Sequence, residues 1–135
     1  MGKKSGVAIG PVLGVSGALA KASLPKGSLG IAAMQAARAG YRVRDIGRVV
    51  EREVTACGFP VVRAICGPGL GHTIHEKPSV PNWPDPAATD ILTDGLVITV
   101  EPIIASRSGH SVLCKDGWTV RTADHGLAAH HAHTI

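Results

Sequence analysis

Apolar positions follow a helical spacing in the first half of the chain and form short continuous runs in the second half. From Ser28 to Ala39 they form one helical stripe, and Gly40 is suited to end that helix. A second helix is predicted to begin at Asp45, as its N-cap, and to end at Gly58. Its apolar stripe consists of Ile46, Val49, Val50 and Val54.

The second half has strand character interrupted by turn residues. Residues 59–65 are a strand-like run, and residues 96–100 are a continuous apolar run of strand length that is apolar enough to be buried on both faces. Asp116-Gly117 predicts a hairpin turn. Residues 78–95 begin with closely spaced prolines and predict a loop. Because the chain ends inside another strand-like stretch, we expect it to be truncated.

Candidate chemistry is concentrated in residues 66–76, whose sequence is Cys-Gly-Pro-Gly-Leu-Gly-His-Thr-Ile-His-Glu. Glycine at every second position lets backbone or ligand approach closely, and His72 and His75 follow beyond the predicted strand. A second candidate is Glu101, directly after the run 96–100. An ionised carboxylate there needs a metal, a proton donor, hydrogen bonds or water as its partner.

Composition narrows the classes of function. A chain of 135 residues with 44% hydrophobic and 18% charged residues predicts one globular domain. The net charge of +4 comes from scattered basic residues, which argues against nucleic-acid binding. No apolar run reaches the ~20 residues that a membrane span needs. Three cysteines without a CxxC spacing favour a reducing compartment. Residues 1–20 resemble a secretory signal, with a loosely structured extension as the alternative.

Four separated motifs resemble those of type I methionine aminopeptidases, in the same order and spacing over residues 34–135. They are Val61–Gly71 with His75–Pro78, Gly95–Ile103, Asp116–Val120 and Ala132–Thr134. The resemblance implies an α+β, partial pita-bread fold, which is a curved antiparallel sheet with helices on one face. Residues 1–33 show no such resemblance and form an unmatched N-terminal extension. It also implies a cytoplasmic enzyme that removes the initiator methionine from nascent proteins with divalent metal ions of the Co, Mn, Fe, Zn or Ni class.

The resemblance also assigns roles to individual positions. In that family two Asp, one His and two Glu hold two metal ions. Glu101 matches one Glu ligand, whereas the His position is Pro68, the other Glu position is Ala132, and no Asp precedes Asp45. His75 matches a histidine that contacts the substrate. The positions that form or flank the pocket for the methionine side chain are Ile74, Trp118 and Cys66.

Substitute ligands and other functions are open alternatives at this point. His72, His75 and one C-terminal histidine would make a three-nitrogen metal site, and on a strand His131 and His133 share a face that His130 does not. Three functions are open for the chain. It is a weakly active or inactive aminopeptidase, a non-catalytic module that binds peptide N-termini or a partner subunit, or a secreted histidine-rich metal binder. An exposed sheet edge predicts self-association.

Overall fold

The computed structural model describes residues 28–135, with side chains from residue 31. Two helices come first, α1 (Ser28–Ala36) and α2 (Val43–Ala56). Eight short strands follow: β1 (Gly67–Leu70), β2 (Glu76–Val80), β3 (Val97–Val100), β4 (Ile103–Ala105), β5 (Ser111–Leu113), β6 (Val120–Thr122), β7 (Ala128–His130) and β8 (His133–Thr134). The signal-like residues 1–20 lie outside the described part of the chain.

Both predicted helices are present, but the start of α2 was predicted wrongly. Arg42 is the N-cap, and Asp45 lies at the third helical position, where its carboxylate accepts the Arg42 backbone N–H at 3.1 Å. The same carboxylate pairs with Arg48 at 2.6 Å. An acidic side chain in the first turn stabilises the positive end of the helix dipole, so Asp45 still marks the helix start.

The end of α2 follows from Gly58, as predicted. Gly58 has a φ of 82°, its N–H donates to the Thr55 carbonyl, and the Phe59 N–H donates to the Val54 carbonyl. These two bonds form a Schellman motif, which satisfies carbonyls that the helix leaves unpaired. The residues of α2 that are fully buried in the core are Val43, Ile46, Val50 and Val54.

All strand pairs are antiparallel. One sheet has the order β2-β1-β3-β8, and β4-β7 and β5-β6 form two-stranded ladders. The β3-β8 pairing and the β4-β7 pairing keep one common register, which places Glu101 across from Ala132 and Pro102 across from His131. A hydrogen bond of 3.3 Å from the His131 N–H to the Pro102 carbonyl lies between the two ladders. Residues 97–105 and 128–135 therefore form one long antiparallel pair.

Residues 67–70 of the glycine-rich segment form strand β1, although the segment was predicted as a site next to a strand. A Cβ on Gly67 would lie 2.0 Å from the Thr99 carbonyl oxygen, and one on Gly69 would lie 2.4 Å from that of Lys77. The close approach of backbone that these glycines predict is therefore confirmed, and the approaching backbones are those of β2 and β3. The glycines thus allow β1 to sit in the middle of the sheet.

Two segments differ from the prediction. Residues 59–65 form only an isolated bridge between Val61 and Ile104. The Val62 N–H donates to the Ile103 carbonyl, and the Ala105 N–H donates to the Pro60 carbonyl. The ladder does not extend further because Pro60 has no N–H to donate. Within the predicted loop 78–95, the first residues belong to β2. Pro78 is tolerated there because β2 is an edge strand.

Apolar side chains pack on both sides of the long strand pair. The larger cluster joins α1 and α2 to β2 and β3 through residues such as Ala33, Ile46, Val80, Ile98 and Val100. A smaller cluster of Val62, Ile103 and Ala105 lies on the other side. Antiparallel strands with both helices packed against one face confirm the predicted α+β fold. No helix among residues 28–135 is long and apolar enough to cross a membrane.

Candidate functional site

The register of the strands gathers three positions on one face of the sheet. Glu101 and Thr99 share a face because they are two residues apart on one extended segment. Pro68 lies across from Thr99, whose hydroxyl donates to the Pro68 carbonyl at 3.1 Å, and Ala132 lies across from Glu101. The three positions that the resemblance assigned to metal ligands on these strands, Pro68, Glu101 and Ala132, therefore occupy one face, as the motif alignment requires.

Glu101 is the acidic residue of that face, and its neighbour is a histidine. The Glu101 Oε2 lies 3.8 Å from the His130 Nε2, and the two side chains are 23% and 26% exposed. His130 pairs with Ile103 in the β4-β7 ladder, which places it on the Glu101 face. The sequence indicated that His130 and His131 face opposite ways, but alternation alone did not show that His130 would reach Glu101.

A buried amide fixes the backbone at Glu101. Asn82 is fully buried, and its Nδ2 donates to the carbonyls of Glu101 at 3.0 Å and Ile65 at 3.4 Å. Asn82 thereby ties the end of β3 to the segment that precedes β1. Sequence reasoning missed this residue because it lies in a proline-rich stretch with no periodicity to indicate burial.

The predicted catalytic histidine lies in a loop at the other end of the strands. His75 and His72 are exposed in the five-residue loop 71–75 between β1 and β2. The Glu76 carboxylate closes this loop by accepting the Thr73 N–H at 2.7 Å. The loop adjoins the Val97 end of β3 and Glu101 follows the opposite end, so about four strand residues, roughly 13 Å, separate the two along the sheet. The structure does not bring His75 into contact with Glu101.

The three predicted pocket residues also lie apart. Ile74 is 75% exposed in the loop 71–75, and Trp118 is 51% exposed in the turn between β5 and β6. Cys66 lines a cavity of about 240 Å³ whose walls include neither of the other two. Burial raises the pKa of the Cys66 thiol and Asp85 adds to the rise, whereas a hydrogen bond with Ser79 lowers it. These conditions favour the neutral thiol.

The proposed substitute ligands do not join Glu101. His131 lies across from Pro102 and His133 across from Val100, which places both on the helix-covered face of the sheet. Their Nε2 atoms are 2.8 Å apart. His72, in the loop 71–75, is near neither of them by register. The structure therefore does not assemble the three-nitrogen site of His72, His75 and a C-terminal histidine.

The side chains do not fit a site for two divalent metal ions. On the face that carries Glu101, proline and alanine occupy the other two ligand positions, and neither side chain has a donor atom. Within residues 28–135 no group of three or more His, Cys, Asp and Glu side chains is arranged to hold a metal ion. Glu101 and His130 supply two donors at most, fewer than a stable two-metal site needs.

Comparisons with known proteins agree with the motifs. The sequence model of metallopeptidase family M24 matches residues 29–134. The chain is 37% identical over 103 residues to methionine aminopeptidase of Escherichia coli K12, covering 76% of this chain and 39% of that protein. Methionine aminopeptidase 2 of Bacillus subtilis strain 168 is 38% identical over 103 residues, covering 76% and 41%.

A solved structure shows the same fold. The crystal structure of methionine aminopeptidase from Rickettsia prowazekii superimposes with a TM-score of 0.70 at 35% sequence identity, covering 79% of this chain and 45% of that one. The match to the curated relatives thus spans about two fifths of their length. The described sheet and helices correspond to a part of the fold of those enzymes.

Proposed function

The chain belongs to metallopeptidase family M24, and we propose that it is a methionine-aminopeptidase-like protein that alone hydrolyses peptides weakly or not at all. Its proposed substrate class is a peptide or nascent protein with an N-terminal methionine, as the names of its relatives suggest. One observation carries the proposal: Pro68, Glu101 and Ala132 share one sheet face, but only Glu101 offers a metal ligand.

Glu101 and His75 are the residues that we assign to this chemistry. Glu101 would be the one remaining carboxylate ligand for a divalent metal ion, the group that supplies the hydrolytic chemistry in such sites. Asn82 supports this role because it fixes the backbone of Glu101. His75 would contact the substrate from the loop 71–75. Because the side chains of residues 31–135 do not fit the two-metal site, we assign no hydrolytic step to the chain alone.

The setting that we propose is the cytoplasm. All three cysteines lie in the described part of the chain and are free, which suits a reducing compartment. Co, Mn, Fe, Zn and Ni remain the proposed classes of metal. Secretion, as a histidine-rich metal binder, is the alternative that residues 1–20 suggest, and the mass of the mature chain distinguishes the two because a signal peptide is removed.

A second candidate function is binding without catalysis. Ile74 and Trp118 expose large apolar surfaces on two separate turns, where a peptide or partner subunit has access to them. Binding at these residues would not require the missing metal ligands. β2 is an edge strand of the sheet, and we propose self-association there as well, which sedimentation or light scattering tests directly.

One pair of measurements separates the two functions. The purified chain is incubated with Co²⁺ or Mn²⁺ and a Met-Ala-Ser peptide, with Glu101→Gln as the matched control. Weak or no release of methionine, with any residual activity lost in Glu101→Gln, is the result that we expect. Calorimetry with the same peptide and no metal then tests binding, and Trp118→Ala is the variant that should weaken it. Rapid release of methionine would overturn the proposal.

A further inference from the structure

His131 and His133 come together on the helix-covered face of the sheet, away from Glu101. Their Nε2 atoms are 2.8 Å apart, and their rings meet edge to face with centroids at 4.4 Å and an angle of 82°. We propose that these two imidazoles form a chelating site for a copper(II) ion. This site is distinct from the proposed hydrolytic function and does not depend on it.

The distance between the two nitrogen atoms favours one geometry for a bound ion. Two nitrogens in neighbouring positions at 90°, with metal–nitrogen bonds of about 2.0 Å, lie roughly 2.8 Å apart, whereas a tetrahedral ion separates them by roughly 3.3 Å. The 2.8 Å between His131 and His133 matches the first value. Copper(II) and nickel(II) prefer tetragonal geometry, and copper(II) binds nitrogen sites more tightly than the other divalent first-row metals.

The backbone holds the two rings in place. The residues alternate with Ala132 on an extended segment, so both side chains project from the same face. His133 is fixed by its pairing with Val100, and the His131 N–H donates to the Pro102 carbonyl. A chelate whose two donors are positioned in this way loses little conformational freedom when it binds an ion.

The surroundings of the two rings leave room for one ion. The rings line a cavity of about 10 Å³, room for about one water molecule or ion. Its other walls are Ala33, Met34, Val100, Pro102 and Ile135. Among these, the Met34 thioether is a donor of the type that copper accepts as a weak ligand. Without metal, the same two nitrogens share one proton in a hydrogen bond, which a bound ion replaces.

Copper(II) titration of the full chain, followed by electron paramagnetic resonance, tests the site. We expect one tetragonal copper(II) per chain at micromolar protein, with two imidazole nitrogens in its coordination plane. His131→Gln and His133→Gln should each weaken binding by about 10²-fold, because each leaves a single imidazole. His110→Gln, which changes an exposed histidine on another loop, should bind as the unchanged chain does.

Two outcomes would overturn the proposal. One is no binding of copper(II) at micromolar protein, and the other is a spectrum with two imidazole nitrogens that persists in both single variants. Far-UV circular dichroism shows whether each variant folds. If the His133→Gln variant is unfolded, the His131→Gln variant decides the outcome alone, because the His131 side chain is exposed.

Discussion

The Oε2 of Glu101 lies 3.8 Å from the Nε2 of His130, on the face where Pro68 and Ala132 supply no donor atom. The carboxylate at the end of β3 thus has an imidazole for its neighbour. At this distance the contact is longer than a hydrogen bond, and it attracts only when the imidazole is protonated. Glu101 is consequently held in position by the strand and by Asn82 more than by its side-chain partner.

The weak pairing of Glu101 predicts a small effect on stability. Glu101→Gln should change the free energy of unfolding by less than about 1 kcal/mol, since a partly exposed ion pair contributes roughly 0–1 kcal/mol. Urea unfolding measures the change, and a double-mutant cycle with His130→Gln isolates the coupling between the two side chains. A loss above about 2 kcal/mol would mean that the carboxylate has a structural role that the contacts do not show.

The buried Asn82 should matter more than Glu101 for stability. Asn82→Leu keeps the branching at Cγ but removes the donor to the Glu101 and Ile65 carbonyls, so we expect a loss of about 1–3 kcal/mol. Thr99→Val, which removes one hydroxyl bond to the Pro68 carbonyl, is the matched comparison and should cost about 1 kcal/mol. Equal stability of Asn82→Leu and the unchanged chain would contradict the role assigned to the amide.

Gly67 and Gly117 should respond differently to alanine. A Cβ on Gly67 would lie 2.0 Å from the Thr99 carbonyl oxygen, so Gly67→Ala should cost about 1–3 kcal/mol or more through displacement of β3. Gly117 has a φ of 78° and no atom within 4 Å of such a Cβ, so Gly117→Ala should cost only about 1 kcal/mol in backbone strain. Thermal or urea unfolding compares them, and a reversed order would refute the close packing of β1 against β3.

Asp116 provides a test at low pH. Hydrogen bonds from the Thr119 hydroxyl and from the backbone N–H groups of Thr119 and Trp118 hold the pKa of the Asp116 carboxyl below its ordinary value. A carboxyl with a lowered pKa stabilises the fold above its ordinary pKa, and that contribution is lost as the pH falls through the lowered one. Titration followed by NMR should give this lowered pKa, and Thr119→Val should raise it. An unshifted pKa in the unchanged chain would contradict the turn geometry.

The sequence predicted those elements whose signals are local. Gly58 ended α2 and the apolar stripe of Val50 and Val54 was buried, because both follow from helical geometry. The motif alignment put Pro68, Glu101 and Ala132 at matching positions, and the strand register agrees with it.

Features that depend on contacts between distant residues were not predictable. Asn82 becomes important only when the fold brings the carbonyls of Ile65 and Glu101 to it. The strand nature of β1 was hidden because glycine has a low strand propensity and is tolerated there only through the neighbouring backbones. His75 was grouped with Glu101 from motifs alone, and the length of β3 separates them.

Restoring the two missing donors tests the central claim, that this face of the sheet has the geometry of a metal site but lacks most of its ligands. Cobalt(II) titration of the chain that carries both Pro68→His and Ala132→Glu, followed by visible absorbance, is compared with the unchanged chain. We predict that the double variant binds cobalt(II) at least about tenfold more tightly and that adding Glu101→Gln abolishes the gain. A folded double variant with no gain, or an unchanged chain that already binds two cobalt ions through Glu101, would contradict the account.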